Sequence, residues 1–241
     1  MNINKQVTIL VPTHTTKTCP SCTLITNVIN GLEKFQELHQ CTLNISYDGP
    51  TKLTGKHLEY MSALENIKAQ FNITVMHSSG GQKNSFIKLI DSVKTKYLLF
   101  IEHDWKFNVK VPFEQIVSIM NKYNFIQYIG FNKRKNIRKL GDHILKPEDR
   151  VKEINLLKTS RWSNNPYIAR TDSWLNMWKP IIANSNINMN KSHGQVERAP
   201  YLQYNDEIKM EGFNCAHKKW GIYIYGKMND QPIVKHMDGN S

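Results

Sequence analysis

No run of about 18 consecutive apolar residues occurs anywhere in the 241-residue chain, which excludes a helical membrane span. The first residues also lack the basic, apolar and small-residue succession of a secretory leader, so the sequence predicts a soluble, cytoplasmic protein. Cysteine is scarce: 4 residues do not make a disulfide framework at this length, as expected of a reducing compartment. Cys19-Pro20-Ser21-Cys22 has the C-x-x-C spacing of redox and zinc sites, but only the separate Cys41 and Cys215 remain, and no second pair completes a zinc site. Acidic residues are in deficit, 20 against 32 Lys and Arg, and the formal charge of +12 favours anionic partners. Those partners include nucleotides, phosphorylated substrates, nucleic acid and an acidic membrane surface. No nucleic-acid-binding motif is visible, and the basic residues are scattered apart from Lys133, Arg134, Lys135, Arg138 and Lys139, so no nucleic-acid partner is expected. Peripheral contact with an acidic membrane remains compatible with the charge. Internal repeats and low-complexity linkers are absent too, and a 40% hydrophobic composition suffices for one substantial core, so a single domain is expected.

Within this chain, Tyr97-Leu98-Leu99-Phe100-Ile101 is an apolar run of strand length that empties into Glu102-His103-Asp104-Trp105. A strand buried on both faces has this composition. In an extended chain Glu102 and Asp104 share one side and His103 takes the other. Two carboxylates in that arrangement suit a hard divalent cation, which prefers oxygen ligands and shares its coordination with phosphates. An acidic turn capping a strand is the simpler alternative for an isolated pair.

The chain before this tip alternates between strand and helix patterns. Val7-Thr8-Ile9-Leu10-Val11 reads as a central strand stopped by Pro12 and followed by a loop through Thr13, His14 and Thr15. Ile25, Val28, Ile29, Leu32 and Phe35 recur at helical spacing. Leu43 to Tyr47 reads as a second strand, broken by Asp48-Gly49-Pro50, and Tyr60, Leu64, Ile67 and Phe71 mark the next helix. Ile73 to Met76 is a third strand; Ser79-Gly80-Gly81 then opens a helix with Phe86, Ile90 and Val93 inside. Such alternation predicts a parallel sheet between helices with right-handed crossovers, and in such sheets ligands gather at the strand ends.

Beyond Trp105 the pattern loosens. Pro112 starts a helix through Phe113, Ile116, Val117 and Met120, and Phe125 to Phe131 reads as a strand. Arg161-Trp162-Ser163-Asn164-Asn165-Pro166-Tyr167 mixes aromatic and amide side chains, which suits sugar recognition and equally an ordinary packed loop. Trp174, Trp178 and Ile181 have core spacing. Glu197 is expected in a loop ahead of a helix that Pro200 begins and Gly212 ends, and Trp220 to Gly226 reads as a strand. Ile233 to Gly239, with His236, forms a last short element.

Together these features resemble the GT-A glycosyltransferases, in particular the inverting enzymes of glycosyltransferase family two. The resemblance covers most of the chain to Trp105 and is patchy after it. The residues that carry it are the small polar loop after Val11-Pro12-Thr13, the aspartate ending the second strand, and Gly80-Gly81-Gln82-Lys83-Asn84 with Lys83 in place of the usual arginine. Glu102-His103-Asp104 stands where the family has its Asp-x-Asp. The resemblance implies a GT-A, Rossmann-like α/β fold with a mostly parallel central sheet flanked by helices and a more irregular C-terminal half. Residues 1–105 would bind the nucleotide sugar and 106–241 the acceptor.

By the same resemblance, Pro12, Thr13, Asp48, Lys83, Glu102 and His103 contact a nucleoside diphosphate sugar, with UDP favoured over GDP. Asp104 and His236 hold Mn2+ or Mg2+. Glu197 is the catalytic base, although the family's Glu-Asp pair reads Glu197-Arg198 here; Asp206 and Glu207 are alternatives. Trp105, Trp162, Tyr167 and Trp220 are candidate stacking surfaces for a glycan or glycoconjugate acceptor. Sugar nucleotidyltransferases share such a sheet, but the chain has no glycine-rich basic phosphate loop after its first strand. A non-catalytic module binding nucleic acid or sugar is the third alternative.

Overall fold

The computed structural model describes residues 2–15, 21–67, 69–138, 144–185 and 195–237. Cys19, Pro20, Lys139 and Gly239, named above, lie outside them, and with them the C-x-x-C pair as a unit.

The first half builds a parallel block from β1 (Val7–Thr13), α1 (Thr23–Leu32), β2 (Thr42–Asp48), α2 (Lys56–Glu65), β3 (Asn72–Ser78), α3 (Gln82–Asp91) and β4 (Tyr97–Phe100). β5 (Trp105–Phe107), α4 (Phe113–Lys122), β6 (Tyr128–Gly130), β7 (Leu145–Pro147), β8 (Leu156–Thr159) and β9 (Tyr167–Arg170) follow. The chain then runs through α5 (Thr171–Ser173), a π-helical turn (Trp174–Trp178), α6 (Lys179–Asn184), α7 (Gln195–Glu211), α8 (Phe213–Trp220), β10 (Ile222–Tyr225) and β11 (Val234–His236).

Nine strands form one sheet in the order β3-β2-β1-β4-β9-β6-β10-β8-β7, while β5 and β11 pair separately. β3, β2, β1 and β4 are mutually parallel, as are β6 and β10, and β9 lies antiparallel between β4 and β6. The chain steps outward from β1 to β2 and β3, then returns to the other side of β1 as β4. The order reverses there, so a crevice opens beyond the carboxyl ends of β1 and β4. This is the expected α/β architecture. β4 is buried throughout, which explains its unbroken apolar run.

The core lies on both faces of the sheet. One face collects aliphatic residues of β1 and β2 with α1 and α4, the other the aromatic set Phe86, Phe100, Tyr128, Trp162, Trp174 and Trp178. Among the described residues no helix is long and apolar enough to cross a membrane.

Several boundaries differ from expectation, each for a physical reason. β1 does not stop at Pro12 but pairs with β2 through Thr13. Leu10 accepts the Ile101 N–H on the β4 side, where β4 pairing ends, so Pro12, two residues on and facing the same way, gives up no ladder bond. Trp220 closes α8 instead of opening a strand, because Gly221 adopts a left-handed conformation at φ 56° that terminates the helix. A side chain at Gly221 would also meet the Phe125 carbonyl at 2.2 Å. Tyr167 begins a central strand and is not a loop residue. α7 starts at Gln195, so Glu197 lies in its first turn and Pro200 inside the helix.

Remote from the crevice, β7, β8 and β10 enclose an ion cluster. The Glu148 carboxylate accepts two bonds from the Arg150 guanidinium at 2.8 and 2.6 Å and one from the Tyr223 hydroxyl at 3.1 Å, with Lys158 at 3.6 Å. Burial opposes its charge, yet these partners hold Glu148 down at about 2. His217 packs edge-on against Tyr223 and bonds to the Ile222 carbonyl. Burial, helped by the charges of Lys158 and Arg150, pushes it down to about 4.

A neutral buried histidine refuses a proton that the unfolded chain accepts. His217 therefore stabilises the fold fully above pH 6.5 and loses that contribution as pH falls toward 4, with Glu148 adding its own loss between about 4.5 and 2. Urea unfolding at pH 7 and pH 5 checks this: stability falls at pH 5, and the difference shrinks in His217→Gln. An unchanged difference in the variant contradicts the assignment.

Candidate functional site

The crevice is built from the ends of β1, β2 and β4 and the turn before α3. Gly80 and Gly81 adopt φ of 96° and 89°, a region that admits glycine readily, and a Cβ on Gly80 would lie 2.4 Å from the Asn84 amide. The turn aims the Gly81 N–H at the Asp48 carboxylate. Burial raises the pKa of Asp48, while that bond and the charges of His14 and His77 pull the other way. Tyr47, one residue earlier, lies beside the rings of Tyr60, His57 and His77 and shares a 2.5 Å hydrogen bond with His57 Nδ1. Thr13 Oγ1 meets the Tyr60 hydroxyl at 2.6 Å. One wall of the crevice is thus backed by the buried Tyr47 and Tyr60, with the half-buried His57 and His77 rings and the Asp48 carboxylate nearer its surface.

Across the reversal in strand order, His14 and His103 meet edge to face at 4.8 Å. His103 is buried, and the tip is not the extended chain expected: β4 ends at Phe100, and residues 103–104 form a turn closed by the Trp105 N–H on the Glu102 carbonyl at 3.2 Å. Glu102 is largely enclosed by protein, with Gln82 at 3.5 Å and the Trp105 indole N–H at 3.4 Å from its oxygens. Burial, then the neighbouring charge of Asp104, push Glu102 up to about 8; Glu197 adds to this, while the indole bond and Lys133 oppose it.

Asp104 is tied down from the far end of the chain. Its Oδ2 lies 3.0 Å from His236 Nε2, and its carbonyl accepts the Met237 N–H at 2.7 Å. The β5–β11 pairing explains this, since it sets His236 directly opposite Trp105 with their rings 4.7 Å apart. Asp104 Oδ1 is buried and accepts no hydrogen bond among the described residues. A buried carboxylate oxygen without a donor is costly unless something electropositive meets it. No group of three or more His, Cys, Asp and Glu able to hold a metal occurs among the described residues. Among the described residues the tip brings together one carboxylate and one imidazole, Asp104 and His236, a pair short of a full ligand set.

Glu197 reaches the same region from α7. Its Oε2 accepts the Asn164 N–H at 2.8 Å and the Ser163 hydroxyl at 3.2 Å. The Tyr128 hydroxyl donates to the Ser163 carbonyl at 2.6 Å and pins this loop to β6. Carboxylates from two segments, Glu102 and Asp104 at the tip and Glu197 on α7, thus share one electrostatic neighbourhood.

Other expected site residues fall elsewhere. Lys83 donates from Nζ to the Ala183 carbonyl at 2.8 Å and reaches that of Ser185 at 3.5 Å, so its charge caps α6. Trp162 and Tyr167 are buried in the aromatic core against Trp174. Trp220 stacks on Tyr204 at 4.8 Å and donates to Glu207 at 2.7 Å. The rings of these three are covered by protein and offer no stacking surface to an acceptor, a correction to the sequence expectation. Trp105 is also buried, with its edge toward His236. Asp206 pairs with Lys209 on the exposed face of α7, and Glu207 bonds Lys219 and Trp220 of α8, so of the two alternative bases Glu207 serves the α7–α8 packing.

Ser163, Asn164, His77 and Lys133 were not singled out as site residues from the sequence. Asn164 and Ser163 lie in the polar, aromatic stretch that suited sugar recognition; their contribution is a main-chain N–H and a hydroxyl aimed at Glu197, which side-chain type does not advertise.

No protein-family model matches the chain, and no curated protein sequence matches it either. The fold does have solved counterparts. The chain is similar to residues 1–349 of TarS from S. aureus, a GT-A glycosyltransferase, with a TM-score of 0.53 at 14% identity over 96% of this chain. A longer TarS chain gives 0.52 at 14% identity. A CMP:2-keto-3-deoxy-manno-octonic acid synthetase solved with CTP gives 0.51 at 10% identity over 92% of this chain and 89% of its own. The chain spans 60% of the shorter TarS chain and 36% of the longer. At these identities the similarity establishes a GT-A-like fold.

Proposed function

We propose that the protein is an inverting glycosyltransferase that moves a sugar from a nucleoside diphosphate sugar, with UDP the favoured carrier, to a hydroxyl of a glycan or glycoconjugate. One observation carries the reading: at the reversal in strand order Asp104, tied to His236 at 3.0 Å, shares its surroundings with Glu197, a carboxylate held by two donors on one oxygen. The GT-A-like fold shared with TarS supports it.

In this reading the half-buried His57 and His77 rings and the Asp48 carboxylate, backed by the buried Tyr47 and Tyr60, receive the nucleoside. Asp104 and His236 would hold Mn2+ or Mg2+, whose Lewis acidity offsets charge on the diphosphate. Asn164 and Ser163 fix one oxygen of Glu197; Oε1 accepts no hydrogen bond among the described residues and takes the proton of the acceptor hydroxyl. Attack from the face opposite the diphosphate inverts the anomeric carbon.

Sugar nucleotidyl transfer is the second reading, favoured by the likeness to the CTP-bound synthetase. Against it, the sequence that follows β1, His14 to Cys19, contains one lysine and no glycine. Phosphorus NMR of reaction mixtures separates the two. Turnover of a UDP-sugar to UDP supports glycosyl transfer, and pyrophosphate release from a nucleoside triphosphate and a sugar overturns it.

A further inference from the structure

The basic cluster around Lys133 is not used by the site as described so far, and the fold fixes it firmly. The Asn132 carbonyl accepts the N–H groups of Ile233 at 2.9 Å and Val234 at 3.4 Å as the chain enters β11. Four residues on, Asn136 is fully buried; its amide donates to the Tyr225 and Lys227 carbonyls at 3.2 and 3.1 Å, and its side-chain oxygen accepts the Asn132 amide at 2.7 Å. Its main-chain N–H and carbonyl bond to Asp230 and Asn229. The turn from Asn132 to Asn136 is therefore clamped at both ends to the same segment that delivers His236.

Its basic side chains have different surroundings. Arg134 and Lys135 are exposed, whereas Lys133 is half-buried with Nζ 5.4 Å from the centre of the Trp105 ring. The charge of Lys133 acts on Glu102, whose oxygen lies 3.4 Å from the indole nitrogen of the same tryptophan. An ammonium over an indole face is held without being neutralised, which leaves its donors available to an anion.

We propose that Lys133 binds the distal phosphate of the nucleoside diphosphate, an inference that rests on the glycosyltransferase reading. The Asp104 and Glu197 carboxylates repel a diphosphate, and the cation that the family resemblance assigned to Lys83 is turned away on the carbonyls that end α6. Lys133 is a fixed cation at the rim of that field. When the bond between the anomeric carbon and the distal phosphate oxygen breaks, the electron pair stays on that oxygen. Its growing charge then meets a positive group already in position.

Calorimetric titration of the full chain with UDP and UMP, in wild type, Lys133→Met, Lys133→Arg and Lys135→Met, tests this. Lys133→Met is expected to weaken UDP about tenfold, in line with the loss of one charged hydrogen bond, and to leave UMP unchanged. Arginine restores part of the loss, and Lys135→Met changes neither ligand. Parallel losses for UDP and UMP, or no loss for UDP, overturn the assignment of Lys133 alone. A wild-type protein that binds neither overturns the glycosyltransferase reading, and the assignment with it.

Discussion

Glu197→Gln is expected to lower the turnover number for sugar transfer about 100- to 10,000-fold, the range for loss of a positioned general base, with little change in donor affinity. The amide keeps the shape of the side chain and still offers an oxygen to the Asn164 N–H and Ser163 hydroxyl, which now hold the carboxylate at 2.8 and 3.2 Å. What it loses is the capacity to take a proton. Single-turnover measurement with a labelled nucleotide sugar separates the effects: substrate still binds, and the chemical step stalls. A variant that weakens donor binding and leaves turnover intact would return Glu197 to a packing role at the start of α7.

Asp104→Asn is expected to weaken nucleotide diphosphate binding in the presence of Mn2+ by about 100-fold or more, since loss of a ligand costs at least as much as loss of its supporting partner. Binding without the metal should change far less, and the metal-dependent increment is the quantity to measure. The substituted amide would keep the geometry of the His236 contact and the main-chain bond to Met237, so folding should be preserved. It removes the negative charge that makes a buried, donorless oxygen a cation ligand. Equal increments in wild type and variant would contradict a metal role for this residue.

Much of the nucleotide-facing half was legible because parallel strands buried on both faces write themselves as apolar runs. Tyr97 to Phe100 and Val7 to Val11 are such runs, and the residues just past them fall in the crevice. Gly80-Gly81 was legible because its positive φ angles restrict which residues fit. The second half was harder. β9 is a four-residue central strand between β4 and β6, too short for its period to stand out from the preceding loop.

The aromatic side chains misled for a related reason. Composition alone does not separate a tryptophan that stacks on a sugar from one that stacks on Tyr204 or Trp174, and the core claimed Trp162, Tyr167 and Trp220. Lys83 matched a motif, but its long side chain folds back to the nearest unsatisfied carbonyls. Lys133 matched no motif and owes its position to an asparagine clamp between residues distant in sequence.

The most direct measurement is calorimetric titration of the purified protein with UDP and with GDP, each with and without Mn2+. A glycosyltransferase of this fold is predicted to bind one of the two, UDP in preference, with an affinity that rises when the metal is present. Failure to bind either nucleotide under any of these conditions would contradict the account.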